Sequence, residues 1–109
     1  MRDITHFETV DDINIKEMKE VIREAIANAY GIISIYEFKK GRNKEEGIRI
    51  IQHTDKTLSI HVHVVASMYV KATEALRSCR KGLSYRLYRT YPQKIRDVSV
   101  YLEDVVSTN

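Results

Sequence analysis

Between Asn14 and Gly31 the apolar positions fall at Ile15, Met18, Ile22, Ala25, Ile26 and Ala29. Steps of three and four place one apolar stripe along a helix. Asn14 is suited to cap the first free amides, Glu17 stands three positions on as in a capping box, and Gly31 supplies a left-handed stop. The next run, IISIYEF (32 to 38), is rich in β-branched and aromatic residues and predicts a strand. KKGRNKEEG (39 to 47), with two glycines and six charges, predicts a solvated loop.

The period then becomes two. GIRIIQH and TLSIHVHVV flank the tripeptide TDK, which predicts a hairpin. Pairing His53 with Thr57 sets Ile50 opposite Ile60 and Ile48 opposite Val62, so the apolar residues share one face; a slip of one residue would scatter them. From about Val70 to Tyr91 the period is helical again, with Ala72, Leu76, Cys79, Leu83 and Leu87 on one stripe, Gly82 as a weak point and Pro92 as the stop. KIRDVSVYLEDVV closes the chain with Val98, Val100 and Leu102 alternating against Ser99, Tyr101 and Glu103. The order α-β-β-β-α-β predicts an α+β fold, a two-layer α/β sandwich with both helices on one face of a mixed sheet. The last strand, following a helix of crossover length, is expected to pair in parallel with an earlier one. Residues 13 to 106 form the expected domain, with 1 to 12 as an N-terminal extension.

Composition changes this picture little. The chain of 109 residues, 43% hydrophobic and 30% charged, is of single-domain size and ordinary globular character. It carries no apolar run near the roughly 20 residues of a membrane span, and MRDITHFETVDD lacks the continuous apolar stretch of a secretory leader. The lone Cys79 suits a reducing compartment and a place in the core. A cytoplasmic protein is expected, membrane-peripheral only through a partner.

Charge adds more. Residues 1 to 67 hold 10 Lys+Arg against 11 Asp+Glu, residues 68 to 96 hold 8 against 1, and residues 97 to 109 hold 0 against 3. The basic character is therefore concentrated on the second helix. At 100° per residue, Arg77, Lys81, Tyr85 and Tyr88 share its outer face, with Arg89 at the edge. Arginine and tyrosine favour interfaces and also suit phosphate contact and base stacking.

Candidate chemistry is sparse. His61 and His63, at i and i+2, point to one sheet face, a spacing that can hold zinc, but a catalytic site needs three protein ligands and no third is in reach. His53 lies about 13 Å along the strand, and Arg49 opposes His61. No nucleophile has a base and orienting acid beside it, and GRNKEEG is no phosphate loop. No cofactor, metal or small-molecule substrate is expected. His61, His63 and Tyr101 read instead as contacts on an open β-face.

INIKEMKEVIREAIANAYGI, GIRIIQHTDKTLSIHVHVVASMYV and IRDVSVYLEDV together resemble the alkaline shock protein family of envelope stress response proteins, over about residues 13 to 105. The resemblance implies a non-enzymatic protein that associates with itself or with a membrane-anchored relative in cell-envelope homeostasis, without catalytic residues. Three departures stand out: Asp104 follows Glu103 where the family has glycine, the 39 to 47 segment is highly charged, and the second helix is unusually basic. The alternative is a small RNA-binding module using Arg77, Lys81, Tyr85, Tyr88 and Arg89, although the Gly-x-x-Gly loop of K-homology domains does not occur.

Overall fold

The computed structural model describes residues 1–107. Its elements are β1 (Arg2–Asp3), β2 (Thr9–Val10), β3 (Ile13–Asn14), α1 (Ile15–Ala27), β4 (Ile32–Ile35), β5 (Glu37–Lys40), β6 (Asn43–Glu46), β7 (Ile48–Gln52), β8 (Leu58–Ser67), α2 (Ala72–Thr90) and β9 (Ile95–Val106). α1 starts as its sequence dictates: the Glu17 amide donates to Asn14 Oδ1 at 3.0 Å. It stops at Ala27, before Gly31, which at φ +79° turns the chain into β4. A Cβ on Gly31 would come within 2.8 Å of Val70 Cγ2, so both conformation and space require glycine.

β8 is the axis of the sheet. β9 runs parallel to it along one edge, and the other edge is shared by β7 and then β4, both antiparallel, with β1 beyond β7. The β7–β8 register is Ile48↔Val62, Arg49↔His61 and Ile50↔Ile60, the pairing that keeps apolar residues on one face. The His53 amide closes the turn on the Thr57 carbonyl at 2.9 Å.

The inner face of the sheet and both helices form one core. Ile48, Ile50, Ile60, Val62, Val64 and Val98 lie under Ile15, Met18, Ile22 and Ile26 of α1 and Ala75, Cys79, Leu83 and Leu87 of α2. The fold is thus α+β, two layers with both helices on one side of a mixed sheet. α2 is continuous through Gly82 and ends just before Pro92.

Two segments differ from expectation. The strand over 32 to 38 breaks at Tyr36, and 39 to 47 is no loop: β5 and β6 pair as a hairpin around Gly41 and Arg42, with Gly41 at φ +64°. Its charged residues have low strand propensity, but packing of Phe38 against Tyr36 and His63 at 4.9 and 5.0 Å between ring centroids anchors one end. Residues 1 to 12, set apart in the sequence as an extension, contribute β1 to the sheet and place Ile4 and Val10 in the core. Thr5 Oγ1 accepts the Ile50 amide at 2.9 Å, and Gln52 links Arg2 to Asp11.

Candidate interaction surfaces

Since both helices cover one face of the sheet, its other face is left open. Alternation along β8 sends His61 and His63 to that side while Ile60, Val62 and Val64 enter the core. Parallel pairing sets Ser99 beside His61 and Tyr101 beside His63. The Tyr101 ring stacks on both imidazoles, at 4.7 Å from His63 and 5.8 Å from His61. Tyr101 Oη is hydrogen-bonded to His61 Nδ1 at 2.8 Å, and Glu103 Oε1 lies 3.1 Å from His63 Nδ1. Phe38 closes the cluster edge-on against His63.

His61 and His63 therefore already have partners, one a phenol and the other a carboxylate. Among the described residues no three His, Cys, Asp or Glu side chains converge as a metal would need. Arg49, opposite His61, is neutralised by Glu45 at 2.7 Å. Glu45 also holds Lys40 at 2.7 Å and His6 at 3.2 Å. The Lys40 contact, followed by that of His6, holds its carboxyl well down, to about 2. One carboxylate thus ties the N-terminal segment, the hairpin and β7 together at the margin of the open face.

The helix residues singled out by sequence do not form one site. Arg77, Lys81 and Tyr88 line a depression of about 460 Å³ with Arg80 and Ser84. Tyr85 instead lines a separate groove between the helices, with Ala25, Tyr30 and Gly82, and Arg89 Nη1 lies 3.5 Å from its hydroxyl. Arg80 and Ser84 were legible in principle, because 77, 80, 81, 84 and 88 follow the i, i+3, i+4, i+7, i+11 spacing of one helix face. Phe38 and Glu103 complete the open-face cluster through contacts that no local spacing encodes. Cys79 is buried between helix and sheet, and burial pushes its thiol up to about 11, far from a reactive thiolate. Among the described residues no helix is long and apolar enough to cross a membrane.

No family profile matches the chain, and no curated protein matches it in sequence. Solved structures share its fold. A copper form of a MamM CTD variant aligns with TM-score 0.57 at 10% identity over 84% of this chain and 98% of that one. A nickel form aligns with TM-score 0.55 at 8% identity over 82% and 96%, and a cadmium form with 0.56 at 9% over 83% and 95%. At such identities the likeness concerns the path of the backbone.

Proposed function

We propose that this protein is a non-enzymatic interaction module that associates with a second copy of itself through the open face of its sheet. The observation that carries this reading is the cluster of His61, His63, Tyr101 and Phe38, whose rings are stacked or bonded to one another rather than free to rotate. Rings fixed before contact lose little conformational entropy when covered, which favours association. Tyrosine and phenylalanine are also enriched at the centres of interfaces. The molecule is a slab of 43 × 34 × 20 Å, and its broad face exceeds the roughly 800 Å² per partner of a standard interface.

The resemblance to the alkaline shock family supports a finer version, in which a membrane-anchored relative presents the same sheet face and brings this chain to the cell envelope. Sedimentation velocity across rising concentration tests the common element. The unmodified protein is expected to form dimers, and a His63→Ala, Tyr101→Ala variant to need at least about tenfold more protein to do so. A chain that stays monomeric throughout, or a variant that dimerises equally well, overturns the reading.

A further inference from the structure

The open β-face leaves the basic side of α2 without a role. We propose that the depression bounded by Arg77, Arg80, Lys81, Ser84 and Tyr88 binds single-stranded RNA, its cations holding successive phosphates and the Tyr88 ring stacking a base.

Charge sets this face of α2 apart. Arg23, Lys40, Arg49 and Arg86 are each matched by a carboxylate at 2.7 to 3.2 Å. None of the described ion pairs includes Arg77, Arg80 or Lys81, and Glu74, in the first turn, is the one acidic residue of α2. Three cations brought onto one helix face without a carboxylate among them repel one another and attract a polyanion.

These cations have a hydroxyl and an aromatic ring beside them. Ser84 adds a hydroxyl, and Tyr88 stands at the same depression with 45% of its surface exposed. Cations that track a backbone beside an aromatic platform are how single strands are held without sequence preference. An anionic membrane surface would call for bulky aliphatic side chains beside the charges, and none lines this depression. The deep, narrow major groove of duplex RNA does not admit side chains, which leaves the unpaired strand as the form whose bases Tyr88 can reach.

The test is fluorescence anisotropy of a labelled oligouridine of about 12 nucleotides, titrated with the full chain from about 25 to 200 mM salt. Three phosphate contacts predict that log K falls against log salt with a slope of about −2. In an Arg77→Gln, Lys81→Gln variant the slope should flatten to about −0.7, one contact remaining. Tyr88→Ala should weaken binding about tenfold with the slope unchanged. Lys39→Gln with Arg42→Gln, on the β5–β6 hairpin, should change neither, which separates a site from general basicity. All these positions are exposed, and a circular dichroism spectrum confirms that each variant is folded. Absence of binding at the lowest salt, equal losses from the hairpin variant, an unaltered Tyr88→Ala, or tighter binding to phosphatidylserine vesicles or duplex DNA would each overturn the proposal. The open-face variant, His63→Ala with Tyr101→Ala, should bind the oligonucleotide normally, so failure of this site and failure of self-association are separately visible.

Discussion

Replacing a glycine by alanine should have opposite effects at two positions of this chain. Gly47 sits where three backbone segments meet: its amide donates to the Tyr36 carbonyl at 2.7 Å, the Tyr36 amide to the His63 carbonyl at 2.8 Å, and the His63 amide to the Gly47 carbonyl at 2.8 Å. A Cβ on Gly47 would stand 2.7 Å from Tyr36 O, 3.0 Å from His63 Cβ and 3.1 Å from His63 O. Two of those atoms are backbone oxygens within the triangle and cannot rotate away. Overpacking of this kind costs about 1–3 kcal/mol, and moving the junction weakens bonds each worth about 0.5–1.5 kcal/mol net. We expect Gly47→Ala to lose about 2–4 kcal/mol, a fall in Tm on the order of 10–25 °C for a domain of this size. Gly82 lies in the interior of α2 with nothing within 4 Å of an added Cβ. There alanine gains up to about 1 kcal/mol in helix propensity, a rise of a few degrees. Thermal and urea denaturation followed by far-ultraviolet circular dichroism measures both. A Gly47→Ala protein within about 0.5 kcal/mol of the unmodified chain would show that the junction yields, and a loss from Gly82→Ala would show that the groove between the helices has no room for the added methyl.

Other consequences can be checked with the same protein. Ile4→Ala, which removes a side chain that is 0% exposed, should cost about 2–5 kcal/mol; an effect below about 1 kcal/mol would return residues 1 to 12 to the status of an appendage. The Cys79 thiol, raised from 9.0 to about 11 by burial, keeps its proton in the native state at pH values where the unfolded chain gives it up. Its contribution to stability is therefore complete below pH 9 and lost as pH rises towards 11. At pH 8 a thiol reagent should label the native protein only as fast as it opens, and rapid labelling without denaturant would refute the burial. Glu45, lowered from 4.5 to about 2, contributes above its unfolded value and loses that contribution as pH falls towards 2. The urea midpoints of the unmodified protein and Glu45→Gln should accordingly differ at pH 6 and converge in acid; a constant gap would mean that the ion cluster is not its cause.

The elements that could be read from the chain are those whose hydrophobic period and end signals agree. α1 has both a stripe and the Asn14 cap, and the β7–β8 pair has one register that keeps Ile48, Ile50, Ile60 and Val62 together. The β5–β6 hairpin has neither aid. Its pairs Lys39↔Lys44 and Glu37↔Glu46 set like charges opposite one another, which disfavours a strand. The compensation comes from Phe38 packing on His63 and from the Lys40–Glu45 ion pair, partners set by the fold. Ile4 shows the same limit: a single isoleucine among polar residues carries no period, and the pairing of β1 with β7, continued by the bonds of Ile4 and Thr5 to Ile50, draws it inward.

The two surfaces were legible to different depths for a related reason. Alternation along β8 and β9 suffices to send His61, His63 and Tyr101 to the uncovered side, but that Tyr101 stacks on both imidazoles depends on the parallel register His61↔Ser99, His63↔Tyr101. On α2 the helical angle identifies an outward basic side, yet the concavity selects Arg80 and Ser84 and leaves Tyr85 in the groove towards α1. The chemistry of the two sites then diverges. On the β-face the cluster pairs polar atoms within the chain, His61 Nδ1 with Tyr101 Oη and His63 Nδ1 with Glu103 Oε1. A partner there covers atoms that in these two contacts are already paired, which lowers the polar desolvation opposing association. On α2 none of the described ion pairs includes Arg77, Arg80 or Lys81, so a partner at that depression must bring the negative charge itself. Raised salt should weaken whatever binds α2 far more than it weakens association through the sheet, and that difference distinguishes the two surfaces in a single protein.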